Sequence, residues 1–162
     1  MARNTSKKPT DLEKEAIGTI RRLRAAHLRG LRDGNIGSRA EFLRDLLIYR
    51  NGSAKLRLNV LCHELGCTER SMEREFLARY SVTARTFQKN RRLECAKEQM
   101  AKDPNLKLTA LASALGYDRE SEFRRFFYHK ERISPREFKR MVRRKRMVRR
   151  KSMVIQQVDS AK

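Results

Sequence analysis

Tryptophan is absent from this 162-residue chain, prolines number three and glycines seven, and 7% of the residues are aromatic. So few breakers leave room for regular helices with short connections, and no convincing strand-like alternation is found. Cysteine is scarce as well. Cys62, Cys67 and Cys95 make an odd count with no disulfide framework, which suits a reducing cytoplasm. No apolar run reaches the roughly 18 residues that a membrane span needs, so no membrane partner is expected. Residues 1–9 are polar and basic with no apolar h-region, so secretion is not expected either. Acids are the last shortage: 19 Asp and Glu stand against 40 Lys and Arg.

What is present is positive charge, +21 overall with a pI near 10.9. On a chain of this length such charge repels itself and favours a polyanionic partner. A pI above about 9 with clustered Lys and Arg is the footprint of a nucleic-acid binder. The length admits one domain, or two small ones on a shared scaffold, and no large catalytic cleft. His27 and His129 lack a companion nucleophile or carboxylate at catalytic spacing, so no enzyme and no cofactor are expected. Cys62, His63 and Cys67 resemble a metal set at first sight. Cys62 falls on an apolar stripe and the spacing runs through a turn, so small core residues explain them better than zinc ligands.

The apolar spacing predicts an all-α chain. Thr10 is a candidate N-cap with Glu13 as its capping-box partner. Leu12, Ala16, Ile20, Leu23, His27 and Leu31 then form one stripe of a first helix, which Gly34 to Gly37 should break. Ser38 and Glu41 form a second capping box. Phe42, Leu43, Leu46, Leu47 and Tyr49 follow in a helix that should be buried. A short helix from Leu58 to Leu65 ends at Gly66, and Thr68 caps the next, with Met72 and Phe76 inward. A long helix from about Ala84 to Ala101 stops at Asp103-Pro104-Asn105.

The pattern then repeats. Leu108, Leu111, Ala112 and Leu115 precede Gly116, Asp118 takes the place of Thr68, and Phe123 and Phe127 take the places of Met72 and Phe76. Each copy reads as a helix-turn-helix, in which one helix braces and the next enters a DNA groove. The second copy has one extra residue between its glycine and its first core aromatic. A last helix starts after Ile133-Ser134-Pro135. Beyond it, Lys139 to Lys151 hold nine Lys or Arg in thirteen residues and no acid. The tandem Lys-Arg-Met-Val-Arg-Arg period of six scatters Met and Val around a helix, so a mobile basic arm is expected, gripping phosphates without sequence preference.

From Ser38 to about Arg140, roughly 100 residues, the chain resembles the DNA-binding domain of AraC-type transcriptional activators. The resemblance rests on Arg92-Leu93-x-x-Ala96, Leu111-Ala112-x-x-x-Gly116-Tyr117, Ser121-x-Phe123-x-Arg125-x-Phe127 and Ile133-Ser134-Pro135-x-x-Phe138, in that order. It implies two helix-turn-helix units joined by a long helix, monomeric binding to two successive major grooves, and recruitment of RNA polymerase. Ser81 and Arg132 stand where the family usually has glycine. Only 37 residues precede Ser38, which leads to the expectation of a stand-alone reader without an effector domain.

The organisation expected is a tail and amphipathic helix over 1–37, a DNA-binding domain over 38–140, and a basic arm over 141–162. Within the domain, the first unit spans about 38–82, the linker helix about 84–101 and the second unit about 106–140. Arg70 and Arg74, one turn apart, match the family's base-contacting positions, with Ser71 beside them. In the second unit Arg119, Glu120, Ser121, Glu122, Arg124 and Arg125 are the candidates. Glu69, Glu73, Glu120 and Glu122 make both recognition helices unusually acidic. In the arm Arg143, Arg144, Lys145, Arg146, Arg149 and Arg150 are candidate phosphate contacts. The partner expected is double-stranded DNA, bound by a monomer or weak dimer in a bacterial cytoplasm, at the nucleoid. A nucleoid-type coat protein or a mobile-element accessory of low sequence preference is the alternative.

Overall fold

The sequence period of three and four becomes helix throughout. The computed structural model describes the backbone of residues 11–30 and 38–159, and the side chains of 11–22 and 38–148. Among the described residues there are eight helices and no strand: α1 (Asp11–Gly30), α2 (Arg39–Tyr49), α3 (Leu58–Glu64), α4 (Glu69–Tyr80), α5 (Ala84–Lys102), α6 (Leu108–Ala114), α7 (Glu120–Glu131) and α8 (Pro135–Asp159). They fall into two compact units, residues 1–92 and 93–162.

In the first unit, Ser38 caps α2. Its hydroxyl accepts from Glu41 N at 3.2 Å, and Glu41 accepts from Ser38 N at 2.7 Å. Ala40, Leu43, Leu46 and Leu47 line the buried side of α2 and meet Leu61, Met72 and Phe76. Tyr49 departs from the expected burial and is 75% exposed. Two residues past Leu47 it has rotated off the stripe, and the Arg50 guanidinium lies over its ring. Gly52 is left-handed at φ +61°, and a methyl there would lie 2.3 Å from the Gln88 carbonyl oxygen. Gln88 also donates to the carbonyls of Ser53 and Leu56, and Arg92 to that of Gly52.

α1 packs on α3 of this unit, with Ala16 and Ile20 in the core. Glu13 is fully buried and accepts hydrogen bonds from Arg57. A buried carboxylate must be hydrogen-bonded, and Arg57 supplies such bonds from its backbone N–H and its guanidinium. Glu15 pairs with Arg50 and Arg21 with Glu64. Thr10, Leu31 and the Gly34–Gly37 break lie outside the described residues, as do the side chains of Leu23 and His27.

The second unit repeats the first. Leu111, Leu115, Phe123 and Phe127 close over Ala96 and Met100 of α5. Gly66 and Gly116 end the short helices in the same way, at φ 70° and 84°. After each, a backbone N–H reaches back five residues: Cys67 to the Cys62 carbonyl at 3.0 Å, and Tyr117 to that of Ala112 at 2.9 Å. The extra residue of the second turn moves the cap. Position N-cap of α7 is Arg119, which makes no side-chain capping bond, and not Asp118 as the sequence suggested. Ser81 and Arg132 end α4 and α7 in the left-handed conformation, at φ 57° and 59°, which glycine would adopt without strain.

The expected free arm is instead a continuation of α8 to Asp159. Ser134 and Glu137 form a reciprocal capping box at its start. Lys, Arg and Met favour helix without needing an amphipathic face. Arg143 reaches the Pro104 carbonyl and Asn105, and Arg146 reaches the carbonyls of Ala101 and Lys102, which satisfies the end of α5.

Candidate nucleic-acid interface

Two helices present a polar face beside a tight turn. In the first unit Thr68 caps α4 by accepting from Ser71 N at 3.1 Å. Met72 and Phe76 are buried, so the positions two residues to either side of Met72 face out. Arg70 and Arg74 are exposed and pair with no described residue. Ser71 is half-buried, its hydroxyl accepting from Thr68 Oγ1 at 3.0 Å.

The acids of α4 are committed elsewhere. Glu73 accepts the N–H of Ala84 at 2.7 Å and of Arg85 at 3.2 Å, which caps α5. Glu69 pairs with Arg85. Glu75 takes Ala40 N at 3.3 Å and the Arg39 guanidinium. The first recognition helix is therefore not the acidic surface that its composition suggested. Its unspent charge is positive.

In the second unit Tyr117 packs its ring against Phe123 and Phe126, which seats the turn on α7. Arg119, Ser121, Glu122 and Arg125 are exposed. Glu120 and Arg124 pair with each other along α7, so Arg124 is partly neutralised. Glu122 is the acid that remains on this face.

On α8, Arg144 and Lys145 are exposed. Arg143 and Arg146 are also exposed, and both donate to carbonyls between residues 101 and 105. The side chains of Arg149 and Arg150 lie outside those described. Lys139 donates to the Leu106 carbonyl at 2.5 Å, and burial, followed by the charge of Arg143, pushes its ammonium below the ordinary lysine range.

Cys62 is buried and Cys67 half-buried. Burial pushes Cys62 up to about 12, and burial raises Cys67 as well. The Cys67 thiol donates to the Cys62 carbonyl at 3.4 Å. Among the described residues no group of three or more His, Cys, Asp or Glu could hold a metal, and no helix is long and apolar enough to cross a membrane.

This arrangement, a short bracing helix, a glycine turn and a second helix with outward arginines, defines a helix-turn-helix protein with two such units. A family profile described as a helix-turn-helix domain matches residues 61–141, half of the chain. Among solved structures, the C-terminal domain of AraT, a response regulator from Geobacillus stearothermophilus, superposes with a TM-score of 0.59 at 18% identity, covering 67% of this chain and 88% of that one. No curated protein matches the sequence. The chain belongs to the AraC-type helix-turn-helix family and is a DNA-binding transcription regulator.

Proposed function

We propose that the protein activates transcription in the cytoplasm by reading a specific duplex sequence, with α4 and α7 entering successive major grooves. One helical turn of DNA is about 34–36 Å, so the site would span roughly two turns. The observation that carries this reading is the state of α4. Arg70 and Arg74 are exposed and unpaired, while Glu69, Glu73 and Glu75 are all held within the protein. Arginine reads guanine through O6 and N7, and an adjacent free carboxylate would oppose that. Ser71 is positioned to support α4 more than to read a base.

On α7 the exposed set is Arg119, Ser121, Glu122 and Arg125. Arg125 would reach base or phosphate, and Glu122 would accept from cytosine N4. Arg144 and Lys145, with Arg149 and Arg150, would add sequence-independent attraction. RNA polymerase is the partner expected of an activator, and a monomer or weak dimer is the binding form. The neighbour described as part of a response regulator supports a regulatory role for this fold.

Competition binding tests the proposal. A specific reader prefers its site to bulk DNA by roughly 10³ or more. A genomic footprint spanning two turns with that preference supports it. The charge of +21 favours a second reading, a coat protein of low preference, and a ratio near unity would establish that one instead.

A further inference from the structure

The two units repeat one arrangement, and one difference between them lies beside the start of the helix that follows α4 and α7. Behind the turn, equivalent residues are 51 apart: Glu69 and Glu120, Glu73 and Arg124, Arg85 and Arg136, Gln88 and Lys139. Before the turn they are 50 apart, so Arg57 corresponds to Lys107 and Leu56 to Leu106. Structure supports the pairing. Gln88 donates to the Leu56 carbonyl, and Lys139 donates to the Leu106 carbonyl.

In the first unit this place is filled by the protein's own carboxylates. Glu73 sits on the N–H groups of Ala84 and Arg85. Arg85 pairs with Glu69, and Arg57 with Glu13. In the second unit the capping carboxylate has become Arg124, and the buried amide has become Lys139. Lys107 and Arg136, equivalents of the paired Arg57 and Arg85, are exposed and pair with no described residue. One acid, Glu120, remains; its Oε1 lies against the Arg124 guanidinium without an aligned hydrogen bond. The result is an open cleft of about 330 Å³ lined by Lys107, Thr109, Glu120, Arg124, Arg136 and Lys139.

We propose that this cleft binds a phosphoryl group, held by Lys107, Arg124, Arg136 and Lys139 where the first unit holds the Glu73 carboxylate. The amides at the start of α8 are not what makes the site. Pro135 has no N–H, and the Ser134–Glu137 box takes up the N–H groups of Ser134 and Glu137. Four cations beside one acid leave the cleft with a net positive charge, and a tetrahedral oxyanion can accept from several donors at once. The phosphoryl group comes either from the backbone of bound DNA, which deepens the DNA-reading proposal, or from a free phosphorylated ligand.

The experiment uses the full chain, the double variant K107Q/R136Q, and Arg124→Glu, which restores the carboxylate of the first unit. Inorganic phosphate is titrated while backbone amide resonances are followed. Duplex binding is measured against salt in parallel. In the wild type, phosphate should shift residues 105–109 and 136–139 and leave 84–88 still, and both variants should abolish the shifts. A salt slope reduced by about 0.9 in both variants identifies a DNA phosphate. Phosphate saturation with an unchanged slope identifies a free ligand. Equal response at 84–88, or no response at either place with an unchanged slope, overturns the proposal. A chain that lacks sequence preference for DNA would defeat the DNA-reading proposal and leave the phosphate titration to decide the cleft.

Discussion

The Glu13 carboxylate, fully buried, accepts the backbone N–H of Arg57 at 3.0 Å and its guanidinium at 2.7 and 3.0 Å. This fastens α1 to the start of α3, where Arg57 occupies the N-cap and makes no side-chain cap of its own. Removing one partner of a buried pair costs about 3–5 kcal/mol. Arg57 is 35% exposed and can recover water, so Glu13→Ala should cost less, about 2–3 kcal/mol. Urea unfolding of the two proteins measures it. A loss under about 0.5 kcal/mol would show that α1 is held by its apolar stripe alone.

Ser81 and Arg132 carry left-handed backbone at equivalent helix ends. That conformation costs an L-residue about 1–2 kcal/mol, and glycine escapes it while losing some unfolded-state entropy. Ser81→Gly and Arg132→Gly should each stabilise by about 1 kcal/mol. Thermal melts of the single and double variants would show it, and additive gains are expected because the sites lie in separate units.

The arginines separate into two behaviours. Arg74→Ala should weaken binding to the preferred site by about 1–3 kcal/mol and relax the preference at one base pair. Arg146→Ala should leave the preference unchanged and loosen the end of α5, since its guanidinium holds the Ala101 and Lys102 carbonyls. Binding assays on the selected site and on scrambled DNA, with hydrogen exchange at 101–106, distinguish the two. Equal losses of specificity would contradict the assignment.

The Ser134–Glu137 box gives a pH dependence. The Ser134 backbone N–H, then its hydroxyl, holds the Glu137 carboxyl below the ordinary 4.5. A depressed carboxyl stabilises the fold above its unfolded value and loses that contribution as pH falls through the folded value. Helix α8 should therefore loosen at its start below pH 4.5, and Glu137→Gln should remove the effect. Amide exchange at 134–138 across an acid titration reports it. An identical titration in the variant would assign the acid response to another group.

Much of this was legible in the chain. Met72 and Phe76, like Phe123 and Phe127, are four apart, and a helix stacks such positions on one face whatever surrounds them. The Ser38 and Thr68 caps are short-range too. Allegiance of charges was not legible. Glu73 reads as an acid on a recognition helix, and only the fold brings the start of α5, eleven residues on, onto its carboxylate. Arg143 and Arg146 read as arm residues for the same reason, since their carbonyl partners lie near residue 100. Tyr49 was misplaced by composition: an apolar run looks buried throughout, but a helix buries only one side of it.

The turn before α7 is one residue longer than the turn before α4, yet Phe123 and Phe127 keep the core places of Met72 and Phe76. The lengthened turn gives up a side-chain cap and nothing in the packing. An engineer could therefore splice a residue between Gly66 and Glu69 at the cost of the Thr68 cap alone. The same residue spliced between Met72 and Phe76 would turn every downstream side chain by about 100°, emptying the hydrophobic centre of the unit.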